Sequence, residues 1–68
     1  MKKYVVIRDT GSWLVCKDRV VMDTWYWTKT LYRATKFDSA MEADMARSIC
    51  DQHFKFLPGT TAVMEWGK

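Results

Sequence analysis

One proline, one histidine, two cysteines and three glycines are all that this 68-residue chain holds of those types, and each scarcity closes off some chemistry. A lone His53, with Cys16 and Cys50 on separate predicted elements, gives no ligand spacing for zinc. Glycine-rich phosphate loops, a nucleophile elbow and paired catalytic carboxylates are also missing. The chain therefore reads as a non-enzyme with no cofactor and no metal. Its apolar runs, such as Tyr4–Ile7, fall far short of the ~20 residues that cross a bilayer. Arg8 and Asp9 end that run too early for a signal-peptide core. A soluble cytosolic protein without membrane association is expected. Its two cysteines then read as buried thiols, with a disulfide between them left open.

What is abundant is aromatic surface. Four Trp, three Tyr and three Phe share the chain, and Trp25, Tyr26 and Trp27 stand together. At 49% hydrophobic and 28% charged, the composition is globular. The length allows a single domain, 1–68, near the lower limit at which a core outweighs chain entropy. The net charge of +3 is unevenly spread: residues 1–37 hold eight Lys/Arg against three Asp, whereas residues 38–54 hold four acids against Arg47 alone. Such a dipolar surface can orient a charged partner.

Residues 3–8 are rich in β-branched groups and read as a strand. Asp9–Ser12, with Gly11 able to take a positive φ, turns the chain into a second strand at 13–17. Val20–Met22 reads as a short third strand, and Trp25 to about Arg33 as a fourth. Ser39-Ala-Met-Glu42 is a capping box opening an amphipathic helix of about 39–53. Ala43, Ala46, Ile49, Cys50, His53 and Phe54 share its apolar arc, and Arg47 is placed to pair with Asp44 and Asp51. Pro58-Gly59 stops the helix, and residues 60–66 alternate as a last strand. The expectation is an α+β fold: a mostly antiparallel sheet of four to five strands in the order β-β-β-β-α-β, with the helix on one face.

Strand parity carries the functional argument. Val5 and Ile7 oppose Tyr4 and Val6, and Leu14 and Cys16 oppose Trp13 and Val15, so both faces of the first two strands are apolar. One helix covers one face. The other is to be closed by curling of the sheet, by a second copy or by a target. Either register of residues 25–33 places large aromatics there. Cys50 and His53 lie at i and i+3, a spacing from which a Cys-His nucleophile can be built, but a core histidine beside a buried thiol is the expected outcome.

The opening K-K-Y-V-V-I-R and the segment A-T-K-F-D-S-A-M-E-A (Ala34–Ala43), within this order of elements, resemble small accessory proteins encoded by bacterial viruses and prophages. The resemblance implies a role in binding and modifying or blocking a host enzyme. It transfers no functional residue, because Phe37 and Ser39 look structural. The leading expectation is thus a protein-binding module acting on a host protein, with Trp25, Tyr26, Trp27, Lys29, Tyr32 and Arg33 as candidate contacts. The alternative is single-stranded nucleic-acid binding by the same aromatic and basic residues. A homodimer is compatible with either.

Overall fold

The computed structural model describes residues 2–18, 24–57 and 59–66. Its elements are β1 (Lys3–Arg8), β2 (Trp13–Cys16), β3 (Trp25–Thr28), a 3-10 turn at Leu31–Arg33, α1 (Ala40–Phe54) and β4 (Thr61–Trp66). The four strands form one antiparallel sheet in the order β3-β2-β1-β4. The strand expected at Val20–Met22 lies outside the described residues.

β1 and β2 are joined by a tight turn in which Gly11 takes φ 79° and its N–H donates to the Arg8 carbonyl at 2.9 Å. The two strands pair only at Ile7↔Trp13 and then part. The gap is filled by Ala34–Phe37. Phe37 exchanges backbone hydrogen bonds with Tyr4, at 2.9 and 2.7 Å, while Thr35 N–H donates to the Leu14 carbonyl and Thr35 Oγ1 accepts from Cys16 N–H. A piece of chain from the middle of the sequence is thus wedged into the N-terminal hairpin.

The strand expected over residues 25–33 ends at Thr28. Thr28 Oγ1 accepts from Thr30 N–H, and Arg33 N–H then reaches back to the Thr30 carbonyl, so the chain rolls into a 3-10 turn instead of extending. That turn carries Leu31 onto the face away from α1, where it lines a cavity with Val5, Trp13, Met64 and Trp66. Lys36 Nζ sits 5.1 Å from the Trp66 ring centroid. This face is therefore closed in part by the protein's own 29–36 segment, and Val5 is 1% exposed.

α1 begins as its sequence dictates. Ser39 Oγ accepts from Glu42 N–H at 3.1 Å, and Glu42 lies in the first turn, where an acid suits the helix dipole. It ends at Lys55 in the left-handed conformation, φ 57°, with Lys55 and Phe56 N–H both donating to the Asp51 carbonyl. Its small residues Ala43, Ala46 and Cys50 are buried, which lets the helix lie close over β1 and β4. Val6, Leu14, Cys16, Trp25 and Phe37 complete that core. Three other members of the expected apolar arc stay at the surface: Ile49, His53 and Phe54 are exposed. Ile49 lies on the flank turned from β1 and β4, and the last turn stacks on Phe56 rather than on the sheet, with ring centroids of Phe54 and Phe56 5.6 Å apart.

Candidate functional site

The cross-strand register decides where the aromatic cluster points. Trp25 stands opposite Cys16 and Trp27 opposite Leu14, on the face that carries α1, whereas Tyr26 stands opposite Val15 on the other face. The six candidate contacts are accordingly dispersed. Trp25 is 7% exposed and donates its indole N–H to the Asp18 carbonyl at 2.8 Å, which makes it a core residue with one accessible flank. Trp27 is half-buried against Phe56, with the Arg8 guanidinium 5.4 Å from its ring and 4.4 Å from that of Phe56. Lys29 donates to the Thr10 carbonyl. Tyr26, Tyr32 and Arg33 are exposed, and Tyr32 is 85% so, with Lys36 Nζ 5.8 Å from its ring.

A different set of side chains converges. Because α1 lies over β1 and β4, the helix-side surface of β2 and β3 is left beside it as a cleft of about 270 Å³. Cys16, Trp25 and Phe37 line it from the sheet side, and Glu42, Met45, Ala46 and Ile49 from the helix. Along the helix, Met41, Met45 and Ile49 follow one another at i, i+4 and i+8, a single ridge. They are 73%, 58% and 47% exposed. An apolar ridge flanking an apolar cleft is the geometry that receives a helix or an extended apolar segment, and thioether side chains adapt readily to such a guest. The sequence reading missed Met41 and Met45. Their spacing from Ile49 is the signal that finds them, but it lies outside the helix's buried arc.

The Cys50 thiol is pushed up to about 12, first by burial and then by the nearby Asp51 and Cys16. That is opposite to what a nucleophilic thiolate requires. His53 packs edge-on against Phe54 at 4.8 Å and is exposed, so the expected core histidine is a surface one. Cys16 and Cys50 are both buried, and no disulfide joins them. Among the described residues no group of three or more His, Cys, Asp or Glu side chains is placed to hold a metal ion, and no helix is long and apolar enough to cross a membrane.

Comparison with protein-family models, with curated proteins and with solved structures finds no match to this chain.

Proposed function

We propose that this protein is a small binding module, of the kind phages use to inhibit or modulate a host protein, and that it grips its target through the cleft between α1 and β2–β3. The reading rests on one observation: Met41, Met45 and Ile49 form a solvent-exposed apolar ridge along a cleft whose wall includes Trp25 and Phe37. Leaving three large apolar side chains in water in a row is the mark of a contact surface rather than of a monomer's ordinary exterior. The occupant that fits is an apolar segment of a partner protein, laid against Met45 and Ile49 on one side and Trp25 and Phe37 on the other. The proposal assigns the module no chemistry of its own.

The test is capture from nuclease-treated bacterial lysate by the tagged protein and by two variants, Met45→Lys with Ile49→Lys, and Tyr32→Ala. The reading expects a stoichiometric protein that is lost with the first variant and kept with the second. Loss with Tyr32→Ala alone would move the contact to the opposite face.

One observation favours a second reading. Tyr32 projects into solvent beside Lys36 and Arg33, and Lys36 also lies over Trp66, so an aromatic platform flanked by cations exists on the face away from α1. Such platforms stack single-stranded bases. Retention of single-stranded DNA or RNA that falls steeply with salt and vanishes in Tyr32→Ala would carry this reading instead.

A further inference from the structure

β4 is an edge strand, and apart from the single charge of Glu65 it lacks the devices that usually keep edges solitary. It pairs with β1 through six consecutive residues, Lys3↔Trp66 to Arg8↔Thr61, without a bulge, and T-A-V-M-E-W contains no proline and no lysine. Among the described residues no strand lies on its far side.

The direction of its backbone groups follows from the ladder. Tyr4 and Arg8 donate their N–H groups towards the β2 side, to Phe37 and Ser12, and Asp9 N–H donates to the Thr60 carbonyl on the β4 side. Antiparallel pairs alternate. Ala62, Met64 and Trp66 therefore bond inward to β1, and Thr61, Val63 and Glu65 turn their N–H and C=O groups outward.

From this we propose that β4 pairs with β4 of a second copy, antiparallel, about a two-fold axis at Val63. In that register Val63 meets the partner's Val63, and Thr61 meets the partner's Glu65, so every outward-facing residue of the strand finds a complementary one. Met64, exposed on the face away from α1, stands opposite the partner's Ala62, a large side chain over a small one. The two Glu65 carboxylates are kept apart. A register centred on Met64 leaves the outward groups of Thr61 without a partner inside the strand, and one centred on Glu65 sets like charges face to face.

The helices fit as well. With α1 over the β1–β4 pair and strands about 4.8 Å apart, the two helix axes fall about 10 Å apart, an ordinary helix-packing distance. The flank of α1 turned towards the partner carries Asp44, Arg47 and Asp51, charges of both signs. The cleft between α1 and β2–β3 lies at the other end of the sheet, so pairing through β4 leaves it open and presents two copies of it.

Sedimentation equilibrium across low to high micromolar concentration tests the pairing. It expects a monomer–dimer equilibrium whose dissociation constant rises about tenfold or more in Glu65→Pro, which removes an outward N–H and no bond to β1. Ala62→Lys with Met64→Lys, which opposes like charges across the axis, is expected to weaken it similarly. Ala62→Lys with Met64→Glu is expected to restore it. Circular dichroism of dilute samples checks folding. Independently of any variant, amide exchange at Thr61, Val63 and Glu65 is expected to slow as wild-type concentration rises, while Ala62 and Met64 remain protected throughout. A monomer at all concentrations overturns the proposal, as does a dimer indifferent to these substitutions, or a monomer whose β4 amides become protected only by an added extended peptide.

Discussion

Thr61 donates its hydroxyl hydrogen to Asp51 Oδ1 at 2.6 Å, so the first residue of β4 is fastened to the last turn of α1. Arg47 binds the other oxygen of the same carboxylate at 3.0 Å and reaches Asp44 at 2.9 Å. The group is only partly exposed, which places it above ordinary surface pairs in value. Thr61→Val is expected to cost about 1 kcal/mol, and Asp51→Ala about 1–3 kcal/mol because both Thr61 and Arg47 lose a partner. Urea denaturation of the two variants, read for their order as much as their size, checks this.

The two ends of α1 predict changes of opposite sign. Ser39→Ala removes the side-chain acceptor of Glu42 N–H and should destabilise the fold by about 1 kcal/mol. Lys55 holds a left-handed conformation that only glycine adopts without cost. Lys55→Gly should therefore stabilise by up to about 1 kcal/mol, seen as a higher midpoint in the same titration.

Trp25 and Tyr32, both candidate contacts in the sequence, should separate cleanly under mutation. Trp25→Ala empties a core position and abandons the bond to Asp18, an expected loss of about 3–5 kcal/mol. In so small a domain that loss rivals the whole stability. Tyr32→Ala should change stability by less than about 0.5 kcal/mol. Far-UV circular dichroism with thermal melting distinguishes the two.

Cys50 predicts an alkaline limit. Its folded thiol is pushed from 9.0 up to about 12, so above about 9 the unfolded chain releases a proton that the folded chain keeps. The stabilising contribution is complete below that value and declines as pH rises towards about 12. Compared at each pH, Cys50→Ala should show a shallower alkaline decline than the wild type. A thiol reagent at pH 8 should modify native Cys50 no faster than global unfolding exposes it.

Local signals were legible in the sequence, and long-range ones were not. The helix was marked by Ser39-Ala-Met-Glu42, four residues that carry their own geometry, and it starts at Ala40, just after the expected N-cap Ser39. The alternation of Thr61–Trp66 and of Tyr4–Ile7 gave the faces of β4 and β1. The end of β3 was hidden because Thr28-Lys-Thr-Leu-Tyr has strong extended propensity, and only the Thr28 and Thr30 hydrogen bonds turn it. The wedge at Ala34–Phe37 left no periodic trace, since its pairing is through backbone groups to Tyr4 and Leu14, which any side chain permits.

For the candidate site, composition pointed to aromatics, but register divided them. Trp25 and Trp27 went to the helix side and Tyr26 to the other, and a one-residue slip would have reversed all three. The surface that does converge was built from Met41, Met45 and Ile49, whose exposure depends on α1 resting off-centre on the sheet. No pattern within the helix alone records that offset.

The wedge also makes the pairing of the first strand non-local. A hairpin at the start of a chain can normally zip as soon as it is made, but this one has ladder pairing at Ile7 and Trp13 alone. The rest of β1's inner edge waits for Phe37, delivered from the middle of the chain across a long loop, and its outer edge waits for β4 at the end. The first strand thus draws its partners on both sides from chain far along the sequence. Nascent chains lacking β4 should remain soft, and folding should be slower than so short a chain suggests, because loop closure precedes most of its reward.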